Sequence, residues 1–393
     1  MMGMANGAEW QLLSFSSEDN MPGLLCIMEN GTVEQSAEAA TELFEQLCHE
    51  DVVSDAAFSL ADTLLNIVAV PYKTVAKAVI LNGMANLLRC ASALDAPIFG
   101  TAPLKPAAET TSCFKNVERE RVAAIAHHWE QVLLQRLPEW LELLEDEETT
   151  AIQVVYLLHM LQSQDERIEA GLQRAVYSSH RNRVRWNALT ALSYCRQRLN
   201  KPFSPAIAFG QHCGDTIYEA LRVVCMCVSS DETRATMHTD DWLALSKGCA
   251  LPRTDRLLFP WGDGAPAAIC AQAAVYALRQ TSVEERVTFW SETLEKSIQA
   301  HQLCARKVTW EIGGSIVQWD EEWLQWNWTA PMLVADSMLL SLFGEGDSST
   351  EMTVGLKRVL HLCIQHGVEL PNAERYCIQH LIHDIRLEID HLG

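Results

Sequence analysis

Apolar residues recur along this chain at spacings of three and four, and alternation over a strand length is rare, so the pattern predicts helix almost throughout. In the first half, helices are expected over Ala37 to Cys48, Asp55 to Val68, Val75 to Cys90, Val117 to Leu137, Thr149 to Leu161, Asp165 to Tyr177 and Asn182 to Leu199. In the second half the same spacing marks Thr216 to Val228, Pro266 to Gln280, Val283 to Leu303, Asp320 to Trp328, Thr329 to Phe343, Ser349 to His366 and Asn372 to His391. Most have the length of one arm of a helical hairpin. Met21 to Thr32, with Leu24, Leu25, Cys26 and Ile27 in a row, reads as a short strand or a loop.

Breakers punctuate these segments: Pro97, Gly100, Pro103 and Pro106; Pro202, Pro205 and Gly210; Pro252, Pro260, Gly262 and Gly264; Gly344 and Gly346. The first cluster is the best boundary. It divides the chain into an acidic helical region over 1–95, a Pro-rich loop over 96–116 and a helical repeat region over 117–393 that could continue the first. With 393 residues, the chain holds more than one ordinary core, so either several domains or one elongated repeat architecture is expected.

Internal period separates those options. Ala188, Ala191 and Leu192 recur as Ala274, Ala277 and Leu278, 86 residues downstream, and more weakly as Ala61, Leu64 and Leu65, 127 residues upstream of Ala188. Both offsets approach multiples of about 43, the length of a two-helix repeat. Asn182 to Leu192 resembles the second helix of HEAT repeats, in which a turn-forming residue leads to a Val-Arg pair and then to Ala and Leu at fixed offsets. Val184, Arg185, Ala188, Ala191 and Leu192 fit that pattern. Pro266 to Leu278 keeps only the small and apolar positions, with Cys270 and Ala271 where the Val-Arg pair would stand. The resemblance is specific over about one repeat and extends in its apolar positions to about two thirds of the chain. It implies an all-α fold: an α-solenoid of stacked antiparallel helical hairpins, a HEAT-like superhelix with an extended concave binding surface. In that family an arginine at the Arg185 position bonds the neighbouring repeat or, less often, a ligand.

Charge changes the picture from fold to partner. The net charge is −21, yet its placement is uneven. Met1 to Tyr72 holds twelve acidic residues and no lysine or arginine; Val308 to Leu356 holds eight and again none. Between Ala170 and Gly214 the sign reverses, with Arg174, Arg181, Arg183, Arg185, Arg196, Arg198 and Lys201 and no carboxylate. Clustered charge of one sign speeds encounter with opposite charge, so the acidic ends favour a basic protein. Nucleic acid would have to find the one basic stretch, which has no interleaved aromatics, and is disfavoured.

The N-terminus carries no basic segment followed by an apolar run, and nowhere do about 18 apolar residues follow one another, so no secretory signal and no membrane span is expected. Thirteen cysteines are scattered through apolar helical patterns, as small hydrophobes in a reducing cytoplasm would be. Oligomeric state is not encoded in any of these patterns.

Candidate chemistry is sparse. His361, Cys363, His366, Cys377, His380 and His383 gather near the C-terminus, but the paired knuckles of a structural zinc site are missing, and no metal or cofactor is expected. His383-Asp384 matches only two letters of the helical HD-type phosphohydrolases, which need further ligands downstream. Gly313-Gly314-Ser315 lacks the preceding strand of a nucleophile elbow. Adjacent acids such as Asp240 with Asp241 read as solvated helix surface. The distinctive local feature is aromatic: Trp319, Trp323 and Trp326 fall on one helical face, with Asp320, Glu321 and Glu322 over much of the remainder. A tryptophan stripe rimmed by carboxylates suits a cationic partner through burial and cation–π contact, or else packs into the core. Trp319, Asp320, Glu322, Trp323, Trp326 and Arg185 are therefore the candidate partner-binding residues. The expectation is a non-catalytic module that captures a basic protein, as an inhibitor or immunity protein masking a toxin or enzyme does. An assembly scaffold or chaperone-like adaptor is the alternative, and a metal-dependent helical hydrolase using the C-terminal histidines the third.

Overall fold

A computed structural model describes residues 21–49, 52–69, 74–92, 116–198 except 162 and 164, 216–228, 237–304 except 253, 309–312, 315–318, 330–343, 354–370 except 369, and 382–387. These residues are overwhelmingly helical. They fall into two compact units: residues 1–200 with 255–260, and residues 201–254 with 261–393.

The first unit opens with α1 (Met21–Asn30), where a strand or loop was expected. Met21, Leu24 and Met28 are its buried residues, a three-and-four spacing that only a helix turns to one side. α2 (Val33–Leu47) begins earlier than the apolar spacing suggests, because Thr32 and Gln35 cap it reciprocally. A two-residue pairing of β1 (Cys48–His49) with β2 (Val52–Val53) leads to a 3-10 turn at Asp55–Ser59 and α3 (Ala61–Val68), so the expected helix from Asp55 to Val68 is broken at Leu60. α4 (Thr74–Ser92) follows. α5 (Asn116–Gln135) stops one residue before α6 (Leu137–Leu141), since Pro138 fits a first helical turn and not a helix interior. A 3-10 turn at Glu142–Glu145 then leads to α7 (Glu148–Met160), α8 (Glu166–Ser178) and α9 (Asn182–Arg198).

Packing in this unit runs in a row: α2 lies on α4, α4 on α7, and α7 on α9, while α1, α5 and α8 back onto α2, α4 and α9 respectively. α4 thus contacts both α5 and α7, so helices from either side of the 96–116 stretch share one unit. At the centre, every residue of α7 from Thr150 to Leu158 is buried. Gly83 of α4 allows the ring of Phe44 to lie where a Cβ would stand only 2.1 Å away.

The row carries a buried amide chain. Asn86 donates to Asn82, Asn82 donates to Gln153, and Gln153 donates to the carbonyls of Arg256 and Leu257 at 3.1 and 2.8 Å. Asn187 reaches Leu258 O at 3.5 Å. These bonds seat the turn over 255–260 in the first unit, and they satisfy amides whose burial would otherwise be costly.

The second unit comprises α10 (Thr216–Val228), α11 (Thr239–Gly248), α12 (Pro266–Ala277), α13 (Val283–Cys304), α14 (Ala330–Phe343) and α15 (Val354–Gln365), with a helical piece at 382–387. α10 packs on α11 and α12, α12 on α14, and α13 on α11, α14 and α15. α11 was not anticipated. Its Asp241 is 6% exposed and accepts from Arg222 Nη2 at 2.6 Å, so this carboxylate is a buried ion-pair partner, contrary to the solvated surface read from the Asp240-Asp241 doublet. β3 (Thr309–Ile312) and β4 (Ser315–Gln318) pair antiparallel, Ile312 opposite Ser315. A strand therefore does precede Gly313-Gly314-Ser315, but it belongs to a hairpin and does not feed the helix that a nucleophile elbow requires.

Candidate protein-binding site

Of the six residues singled out from the sequence, Trp319, Asp320, Glu322, Trp323 and Trp326 lie outside the described residues, as does the expected helix from Asp320 to Trp328. Arg185 is described: it is half-buried, and its Nε donates to Val176 O of α8 at 3.1 Å. That bond runs back to the helix before its own.

Three other arginines of the basic stretch behave alike. Arg174 donates to Leu141 O, Arg181 to the carbonyls of Leu144 and Asp146, and Arg196 pairs with Glu169 at 2.9 Å. Arg167, one further helical heptad back, reaches Leu134 O. Arg167, Arg174 and Arg181 stand seven residues apart and each bonds carbonyls 33–37 residues earlier. Guanidinium groups there terminate helices and turns whose last carbonyls have no partner of their own. Arg167, Arg174 and Arg181 tie α8 and the turn after it to the end of α5, to α6 and to the 3-10 turn that follows.

Among the described residues, no three His, Cys, Asp or Glu side chains come together to hold a metal ion. Cys363 is buried on α15, where burial pushes its thiol up to about 12, and His383 and Asp384 are exposed. Cys377 and His380 lie outside the described residues. Cys249 and Cys270 are also buried, and desolvation raises both thiols, that of Cys270 to about 12. Thiols held protonated in this way are poor nucleophiles and poor metal ligands.

A cleft of about 590 Å³ opens in the first unit between α3 and the α6 corner. Its apolar lining is Ala69, Pro138 and Leu143, laid over the buried Leu65, Val68 and Trp140; its carboxylates are Glu139, Glu142, Glu145 and Asp146, and among the described residues its lining cation is Arg136. Arg136 staples the two sides: it donates to Glu139 at 2.6 Å and, across the cleft, to Asn66 at 2.8 Å and Asp62 O at 3.3 Å. The hydrogen bond from Arg136 holds the Glu139 carboxyl below its usual range. Trp140 is kept in the wall by a 2.9 Å bond from its indole N–H to Leu133 O.

Asp146 closes one end. Burial alone would raise its pKa, but the bond from Lys77 Nζ at 2.9 Å, the Glu147 N–H and the charges of Lys77 and Arg181 outweigh burial, so the carboxyl sits below its ordinary value. Glu142 and Glu145 are exposed and have no ion-pair partner among the described residues. Glu139, Glu142 and Glu145 recur every three residues through α6 and the 3-10 turn, where side chains three apart line up on one edge. That interval is a sequence signal for the site, passed over because it falls between two strongly periodic helices.

The arrangement offers charged carboxylates beside an apolar wall, which is the chemistry for receiving a cation on an aliphatic stem. No helix among the described residues is long and apolar enough to cross a membrane. Comparison with family models, with curated proteins and with solved structures finds no match to this chain.

Proposed function

We propose that this chain is a non-catalytic, HEAT-like α-solenoid that captures a basic protein partner in the cytoplasm, as an inhibitor or immunity protein masks a cationic toxin or enzyme. The observation that carries the reading is charge placement: a net −21, with twelve acidic residues and no lysine or arginine over Met1 to Tyr72. The cleft adds carboxylates that no cation of the described residues neutralises, at Glu142 and Glu145.

Two further observations support parts of this reading. The row α2, α4, α7, α9, with α1, α5 and α8 behind it, agrees with stacked helical hairpins, and Arg167, Arg174 and Arg181 tie one such pair together. Arg174, Arg181, Arg185 and Arg196 of the basic stretch are occupied by carbonyls and carboxylates of their own unit, which favours a protein partner over nucleic acid.

The test is capture from a lysate of the source cell on immobilised full-length chain, eluted with a gradient of about 50 to 500 mM salt, over which surface electrostatics are progressively screened. One specific basic protein released by salt is the expected result. Binding that is insensitive to salt for every captured partner would overturn the reading and shift it to an adaptor that grips through apolar contacts.

A further inference from the structure

The cleft beside α6 is shaped for a particular kind of ligand group. Its volume of about 590 Å³ falls within the range of specific binding pockets, about 300–1,000 Å³, and exceeds what one side chain fills. Ala69, Pro138 and Leu143 offer apolar surface to methylenes over the buried Leu65, Val68 and Trp140, while Glu142 and Glu145 stand at the rim with charges unmatched among the described residues. Arg136 and Lys77 do not neutralise that rim, because Arg136 is committed to Glu139 and Asn66, and Lys77 to Asp146. Apolar wall and anionic rim together match a lysine or arginine, whose stem buries while its head stays at the edge.

We infer that this cleft docks a basic, amphipathic segment of the protein partner, with lysine or arginine stems against Ala69, Pro138 and Leu143 and their cationic heads at Glu142 and Glu145. The inference rests on the basic-partner reading and narrows it to one place. Charge complementarity sets the occupant: a neutral apolar peptide would leave the rim carboxylates facing it without partners, and an acidic one would be repelled.

The probe is a short helix-forming peptide of leucine and lysine carrying a fluorescent dye, titrated with full-length protein at low salt and followed by anisotropy. Three proteins are compared: the unaltered chain, Glu142→Gln/Glu145→Gln, and Glu284→Gln/Glu292→Gln, which removes the same charge from exposed positions of α13, outside both acidic stretches. The cleft variant is expected to bind about fivefold or more weakly, the size of two rim charge contacts, while the α13 variant stays within about twofold. The same peptide with its lysines acetylated is expected not to bind. Equal weakening of both variants, or of neither, overturns the cleft as the docking place while leaving the basic-partner reading in force. Absence of binding by the unaltered chain also overturns the cleft, and the salt-gradient capture decides the broader reading on its own.

Discussion

Lys77 and Asp146 show how a single contact governs behaviour at the scale of a residue. The Lys77 side chain is only 4% exposed, and Asp146 supplies its partner oxygen. Because the folded-state pKa of Asp146 is depressed below its ordinary 3.8, the pair stabilises the fold above that pH, and its contribution is lost as pH falls through the lower folded value. Urea titrations of the unaltered protein should therefore show a loss of stability on acidification that is smaller in Asp146→Asn. At neutral pH that variant should be less stable by about 3 kcal/mol, since it leaves a buried lysine uncompensated. Thiol chemistry gives a second check. Cys26 is exposed, whereas Cys225, Cys227, Cys249 and Cys270 are buried. Brief maleimide treatment of the native protein, followed by peptide mapping, should label Cys26 and spare those four until denaturant is added.

At the scale of elements, close approach is what the helices most depend on. Gly248 ends α11 where a Cβ would stand 2.5 Å from Cys270 Sγ and 2.7 Å from the Ala220 Cβ, a contact between three helices with no flexible end to give way. Gly248→Ala should cost about 1–3 kcal/mol, read as a lower thermal midpoint, because a packed interior cannot absorb a methyl without moving backbone. Helix ends were harder to read than helix interiors. α10 occupies the expected Thr216 to Val228, yet the helix expected to end at Leu137 is followed directly by α6, because apolar period alone does not register that Pro138 begins a helix. α11 has little apolar periodicity because three of the residues it buries, Asp241, Ser246 and Gly248, are not large apolar ones, and Asp241 is buried by pairing with Arg222.

At the scale of the whole molecule, polar groups far apart in sequence determine what is joined to what. Gln153 links α7 to Asn82 of α4 and to the turn at 255–260, 71 and 103–104 residues away. Gln153→Leu should lower stability by about 1–3 kcal/mol through the stranded carbonyls and amide. It should also speed hydrogen exchange at the Leu258 and Phe259 amides, which close that turn onto Asp255 O.

The three-and-four spacing of apolar residues was enough to predict the helical class and most helix interiors, because helical periodicity is a local property of the chain. The charge asymmetry was equally plain, since it needs only counting. The destination of the basic stretch was not, because carbonyls 33–37 residues earlier come within reach of those arginines only once the helices have packed. The cleft is likewise tertiary in origin. Glu142 and Glu145 become the rim of a cleft only when Arg136 holds α3 against the α6 corner, which brings Ala69 and Leu143 to one lining across a sequence separation that no local pattern spans.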